Sequence, residues 1–402
     1  MDLKSGYPFW AVKNGLMYAF PRLDADVRCD VVVIGAGITG ALIADELARH
    51  GHDVIVVDQR DVGWGSTSAS TALLQYEIDT HAIDLVKRYD QTSALLAYGS
   101  CLLAIDELEE VCHAVGDVDF SICSSLYYAS HRRDRRRLSD EFAWRSQNGF
   151  PVRWLSSSAL AERYGLKAPA AILSSVAARV DPYRLASRLL RRMQKRGTQV
   201  FDRTQVKAIT ATNRTATLTT ESGILIKAKY AVIAGGYESQ CWLHKRVAKN
   251  RSSYAYMSDP VDRADLGWLA TTLLWESARP YLYLRSTGDG RLLVGGEDDN
   301  HDIPARRDRL VDRKATILQR KVTRLFPHLR APPAFAWAGT FAETSDGLPL
   351  FGDNPQYGPR VLFALAYGGN GITYSMLGAT LLRARIERRP HPLTALFSFA
   401  RL

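Results

Sequence analysis

The stretch DVVVIGAGITGALIADELARHGHDVIVVD, residues 30–58, constrains this chain more than any other. Cys29 to Ile34 is a run rich in β-branched residues, as expected for a strand buried in a parallel sheet. Gly35-Ala-Gly37-Ile38-Thr39-Gly40 follows at once. Ile38, Leu42, Ile43 and Leu47 then recur at helical spacing, and Gly51 lies where a left-handed cap is wanted. A second strand, Asp53 to Val57, ends in Asp58. Gly35 makes the tight turn, Gly37 lets a pyrophosphate approach the backbone, and Gly40 lets helix and strand pack closely. The helix start at Ile38 and Thr39 offers free N–H groups and a positive dipole end to the phosphates. Asp58 is placed to accept from ribose hydroxyls. The order of these parts predicts a bound dinucleotide, without separating a nicotinamide from a flavin.

At 402 residues the chain can form two domains with sizeable cores, and 46% apolar residues exclude a disordered chain. The five cysteines make no CxxC pair, and their odd number argues against a disulfide framework; they suit a reducing cytoplasm. No signal-peptide core opens the chain and no apolar run is long enough to cross a bilayer, so a soluble cytoplasmic protein is expected. The net charge of +10 is densest at His131–Arg137. Aromatic residues do not interleave that cluster, so it reads as a solvated turn and helix start, and no nucleic acid is expected as a partner. The histidines show no HxxxH or HxH spacing, and no metal site is expected.

Residues 1–27 read as an arm, with Pro8 and Pro21 opposing regular structure. A helix is expected from about Ile83 to Val115, a strand at Leu126–Ala129, and a helix from Tyr183 to Arg196 opened by Asp181-Pro182. Short strands follow at 199–201 and 206–209, then a hairpin around Glu221-Ser222-Gly223 and a strand Tyr230–Ile233 running into Ala234-Gly235-Gly236. Tyr281–Arg285 and Leu292–Gly295 flank Thr287-Gly288-Asp289-Gly290 as a second hairpin. Val361–Leu365 is a buried strand leading into Gly368-Gly369-Asn370-Gly371-Ile372-Thr373 and a final helix. A nicotinamide-binding half would finish as one unit within roughly 150 residues. Glycine-rich strand ends at both extremes of this chain suit instead an extended cofactor gripped at both ends, as FAD is.

At these residues the chain resembles the FAD-dependent amine and amino-acid oxidoreductases, the family that includes glycine oxidase, sarcosine oxidase and D-amino-acid oxidase. The resemblance covers nearly all of 28–390 and is carried by Gly35–Gly40 with Asp58, then Gly65-Ser66-Thr67-Ser68, Asp181-Pro182-Tyr183, Thr204-Gln205-Val206 and Ile233–Gly236. Trp337-Ala338-Gly339 with Thr344–Gly347, and Gly368–Ile372, complete the series. The arm, ending Tyr18-Ala19-Phe20-Pro21-Arg22-Leu23, is similar to that of gamma-glutamylputrescine oxidase-like members. The resemblance implies an α/β fold: a doubly wound, Rossmann-type FAD domain from 28–88, 154–240 and 330–395. A discontinuous α+β substrate domain on a mixed or antiparallel sheet would come from 89–153 and 241–329.

It also implies roles. Gly65 to Ser68 would cradle the pyrophosphate and pass near the flavin, Val206 would meet the adenine through its backbone, and Gly235 and Gly236 would allow a close pass of the chain. Gly368 to Thr373 would aim N–H groups at the flavin pyrimidine, where they stabilise negative charge. A glycine near 339, where some sarcosine oxidases carry a flavin-linking cysteine, implies noncovalent FAD. The implied reaction is hydride transfer from the carbon beside a neutral amine to flavin N5, followed by imine hydrolysis. Oxygen, giving hydrogen peroxide, or another acceptor would reoxidise the flavin.

Tyr281 matches the family's substrate-side tyrosine, and Phe341 stands where amino-acid oxidases carry a carboxylate-binding arginine; both are candidates for the catalytic pocket. The basic residue that relatives carry near the last glycine loop is replaced by Gly369 or Thr373. A larger or less acidic amine, such as an acylated polyamine or other secondary amine, therefore fits better than a small amino acid bound in the usual way, and so would an anionic substrate held by different arginines, Arg285 first among them. Tyr254 and Glu297 are weaker candidates for the substrate side, reading rather as surface or hairpin residues. Two other functions stay open: a dehydrogenase of a hydroxy acid or polyol phosphate feeding a quinone, and a tRNA-modifying oxidoreductase. The oligomeric state is not legible.

Overall fold

A computed structural model describes residues 2–402, so the first residue of the arm lies outside the described residues. Two sheets organise the chain. The smaller runs Leu350–Asp353, Val361–Leu365, Leu225–Ile233, Val27–Ile34, Val54–Val57, Gln199–Phe201 across the sheet. All but the first of these neighbouring pairs are parallel, with Val232 opposite both Leu362 and Val33. Val31–Val33 and Val54–Val57 at the sheet's centre are β-branched and buried, because both faces are covered. On one face lie the helices Ile38–Arg49, Gln91–Val115, Pro182–Lys195 and Gly371–Ile386. On the other, the antiparallel strands Val206–Ala211 and Ala216–Thr220 pack Val206 and Leu218 beside Val32 and Val57.

The larger sheet has ten strands and is antiparallel except where Thr272–Glu276 pairs with Ser121–Tyr128. The helix Pro304–Leu325 lays Val311, Ala315, Leu318 and Val322 on one face of it, at spacings of three and four residues. This helix and the long strand Lys249–Pro260 were not legible in the sequence.

Strand pairing redraws the segments expected from the sequence. Leu73–Gln75, Ala170–Arg179 and Pro333–Glu343, expected in the FAD-binding segments, pair in the larger sheet, as does Val152–Ser156. Nor is the arm irregular. Lys4–Gly6 forms the edge strand beside Pro333–Glu343, Phe9–Asn14 is helical, and Trp10 is fully buried. The helix expected at 83–115 is two, Ala82–Arg88 and Gln91–Val115, because Asp90 caps the second by accepting from Ser93 N–H. Asp181 caps Pro182–Lys195 in the same way through Arg184 N–H, with proline at the first helical position.

Candidate active site

The strands Val27–Ile34, Leu225–Ile233 and Val361–Leu365 all end at one edge of the smaller sheet, facing the larger sheet. A continuous cavity of about 680 Å³ lies there, at the carboxyl ends of parallel strands, where such sheets bind ligands. Its nucleotide end is made of glycines. A Cβ on Gly35, which has φ +113°, would stand 2.4 Å from the Ala234 carbonyl oxygen, so the first and third glycine segments touch. A Cβ on Gly40 would meet Gly35 O at 1.8 Å; Gly40 serves the packing of helix on loop and does not itself line the cavity. Ile38 N–H donates to Thr67 Oγ1 at 2.9 Å, joining the first glycine loop to the second.

Asp58 lines the cavity, and its two oxygens accept from Ala36 N–H (2.7 Å) and Arg60 N–H (2.8 Å). Burial pushes its carboxyl up to about 6 against those two donors. Ser66 opens the short helix Ser66–Ala69, and its hydroxyl is buried without a partner while the residue lines the cavity. Ser239, beside Gly235 and Gly236, has a second such hydroxyl. Buried hydroxyls lacking partners are rare unless a ligand supplies them. Trp10 Nε1–H donates to Ser70 O and Trp337 Nε1–H to Ala69 O, fixing the Ser66–Ser70 segment from the arm and the larger sheet.

Most of the residues expected at the cofactor reach this cavity: Gly37, Ile38, Thr39, Gly65, Thr67, Val206, Gly339 and the run Gly368–Ile372 line it. Ser68 and Thr373 do not. The Ser68 hydroxyl donates to Gly65 O at 3.0 Å and takes Lys4 Nζ at 3.2 Å, while Thr373 donates to Gln75 O at 3.1 Å. Both hydroxyls brace the chain.

At the other end stand Tyr281 and Phe341, as expected. The Tyr281 hydroxyl donates to Asp79 Oδ1 at 3.0 Å, and Gly369 N–H donates to Asp79 Oδ2 at 3.0 Å. Asp79 thus ties the final glycine loop to the larger sheet, and the sequence reading passed over it. Arg285, the candidate for an anionic substrate, lies outside the cavity lining. Its guanidinium is buried on the carbonyls of Thr71 (2.7 Å), Val180 (2.9 Å) and Ser286 (3.2 Å). Tyr254 and Glu297 are not surface residues. Tyr254 is buried and donates to Asp299, and Glu297 is buried and paired with Lys321 at 2.8 Å. The basic cluster forms a turn leading into the helix Asp134–Gln147, with Arg137 paired to Asp84.

The fingerprint loop, the orphaned hydroxyls and the two-ended grip agree with what comparison with known proteins finds: residues 30–385 match the model of the family described as FAD dependent oxidoreductase. The chain belongs to that family. Members use FAD, and this chain is accordingly an FAD-dependent enzyme. Glycine oxidase of Geobacillus kaustophilus is 27% identical over 372 residues, covering 90% of this chain and 94% of that protein. Gamma-glutamylputrescine oxidoreductase of Escherichia coli is 25% identical over 401 residues, covering 94% and 89%. The crystal structure of the Geobacillus kaustophilus glycine oxidase superposes with a TM-score of 0.77 at 21% identity, covering 92% of this chain and 98% of that one, which supports the fold. Among the described residues no helix is long and apolar enough to cross a membrane.

FAD fits these residues. The Gly35–Gly40 loop and Ser66 would hold its pyrophosphate, Asp58 a ribose, the Gly235–Gly236 segment with Val206 the adenosine side, and Gly368–Ile372 the flavin end.

Proposed function

We propose that this FAD-dependent oxidoreductase oxidises the carbon–nitrogen bond of an amine to an imine, with oxygen or another acceptor finally taking the electrons. FAD, when bound, supplies the two-electron sink; water then hydrolyses the imine to a carbonyl compound and a released amine or ammonia. One observation carries the reading. The end of the cavity formed by Tyr281, Phe341 and Asp79 has no lysine, arginine or histidine among its described lining residues. The nearest cation, Arg279, stands behind Tyr281 and already faces Asp79 and Asp298, so a substrate carboxylate or phosphate there would be poorly compensated, at a cost of several kcal/mol. That disfavours small amino acids, hydroxy acids and polyol phosphates alike. Two relatives, a glycine oxidase and a gamma-glutamylputrescine oxidoreductase, carry amine chemistry in their names.

In this reading Tyr281, its proton given to Asp79, presents its oxygen lone pairs as an acceptor for the amine N–H. Phe341 forms an apolar wall that excludes water from the reacting carbon. No residue is required as a base if the amine binds neutral. FAD is held noncovalently, so acid precipitation should release the yellow colour to the supernatant. Colour retained in the pellet would point to Cys241, the cysteine among the described lining residues.

The test is bleaching of the FAD-loaded protein without oxygen by a panel of amines, α-amino acids, hydroxy acids and glycerol phosphate. Bleaching by amines is expected. Bleaching by hydroxy acids or glycerol phosphate alone would replace the proposal, and peroxide formed on admitting air distinguishes an oxidase from a dehydrogenase.

A further inference from the structure

Gln75, Glu77 and Asp79 alternate along one extended run and all three line the cavity, while Tyr76 and Ile78 turn into the core. Asp298, on the strand Arg291–Asp299 of the larger sheet, lines the same cavity. The one arginine among the described lining residues, Arg60, stands at the nucleotide end, bound to Glu238 at 2.7 and 2.9 Å. Two carboxylate oxygens of this wall are buried without a hydrogen-bond partner: Glu77 Oε2, on a residue only 3% exposed, and Asp298 Oδ1.

The charges do not balance. Arg145 lies buried behind the wall, 2.8 Å from Glu141 and 3.8 Å from Glu77, so one guanidinium answers one of two carboxylates. Arg279 acts on both Asp79 and Asp298, from outside the lining, its guanidinium 3.1 Å from the centre of the Tyr281 ring. Glu343, the next acid, is matched by Arg251 at 2.6 Å. His81, hydrogen-bonded to Tyr127, adds no charge near neutrality, since burial pushes its imidazole down to about 4. Two carboxyl groups are left without a cation, and burial raises the Glu77 carboxyl, so a cationic ligand would draw them into their ionised form. Burial, then repulsion from Glu343 and Asp79, pushes the Asp298 carboxyl up to about 6 despite a hydrogen bond from Ser253 and the pull of Arg279. Tyr237, Tyr283 and Trp275 line the same space, and aromatic faces attract organic cations.

We propose that the substrate of this site is an organic dication without a carboxylate, an unacylated diamine or longer oligoamine, whose second cationic nitrogen is held by Glu77, Asp79 and Asp298. The inference rests on the amine reading above and narrows it. It also places the specificity of the site in a wall that an acylated amine, with one charge fewer, satisfies less well.

A ladder of charge at nearly constant shape tests it: diaminobutane, monoacetyl-diaminobutane, butylamine and aminobutanoate, each given without oxygen to the FAD-loaded protein while flavin bleaching is followed. Diaminobutane should exceed monoacetyl-diaminobutane and butylamine in kcat/KM by on the order of 30-fold, as for an unpaired buried charge, with aminobutanoate slowest. Asp298→Asn should lower the diaminobutane value more than the butylamine value, chiefly through KM, and Asp298→Glu should recover part of the loss at unchanged FAD content. Equal rates along the ladder, or a lead for the monoacetyl compound or aminobutanoate, overturn the dication while leaving an amine enzyme. Failure of every amine to bleach the flavin overturns both readings.

Discussion

At its nucleotide end the cavity is shaped by backbone; at its substrate end it is shaped by side chains. Gly35 and Gly235 line it where the backbone passes close, and Gly40 lets the helix pack on the loop behind them. The few polar groups there, Asp58 and the hydroxyls of Ser66 and Ser239, wait for donors and acceptors on one fixed cofactor. The other end is a wall of carboxylates and aromatics drawn from Gln75–Asp79, Trp275, Tyr281–Tyr283 and Asp298, which lie far apart in the chain. The first construction depends on backbone conformation, so a side chain added at Gly35 or Gly40 collides with backbone. The second sets charge by which side chains meet, so it can change from member to member without disturbing the fold.

The most damaging single change is expected beneath the substrate wall. Arg145→Ala leaves Glu77 and Glu141 buried without their cation and should cost about 3–5 kcal/mol, read as a lower urea midpoint. A loss under 1 kcal/mol would mean that the two carboxylates share a proton instead, and would undo the charge balance drawn above. At the nucleotide end, Gly35→Ala forces a side chain into φ +113° and against the Ala234 carbonyl, and should cost about 2–4 kcal/mol together with the bound FAD. If FAD content and stability both survive, the glycine loop is not the rigid half of the comparison.

Smaller effects sharpen the contrast. Tyr281→Phe removes one hydrogen bond to Asp79, about 1 kcal/mol, and should slow amine turnover several-fold with FAD content unchanged. A change in FAD content without a change in turnover would move Tyr281 out of the substrate end. A further effect is in pH dependence. Burial raises Asp58 and Asp298 from the usual 3.8 to about 6. Between those values the folded, ligand-free protein holds more protons than the unfolded chain, so its stability should fall as pH rises from 4 to 6 and stay lower above. Asp298→Asn should flatten that slope in part. Adding FAD should remove the share due to Asp58, because ribose hydroxyls donate to its ionised form; urea midpoints across this range check both.

The nucleotide end is built from residues close together in sequence and the other end from residues far apart, so the two were not equally legible. Gly35 to Gly40 with Asp58 is read from neighbours along the chain, and the helix expected behind it is found at Ile38–Arg49. The hydroxyls of Ser68 and Thr373 brace carbonyls, which the sequence did not show because a hydroxyl in a glycine-rich loop looks the same whether it faces a ligand or a carbonyl. The same holds for Arg285: an arginine on a strand does not reveal that three carbonyls await it. Gln75, Glu77 and Asp79 did carry a signal, polar residues alternating with apolar ones, that a search for strands longer than Leu73–Gln75 could have used.

The residues in order determined that a dinucleotide loop forms, that parallel strands bury it and that glycines at both ends of the chain are there to meet the same cofactor. These are local matters of backbone freedom and periodicity. Only the tertiary structure decided which carboxylates share a cation and which are left over, because the charge of a pocket is a sum over side chains that the chain brings together from hundreds of residues apart. On the dication proposal, that sum rather than any one motif would select the substrate.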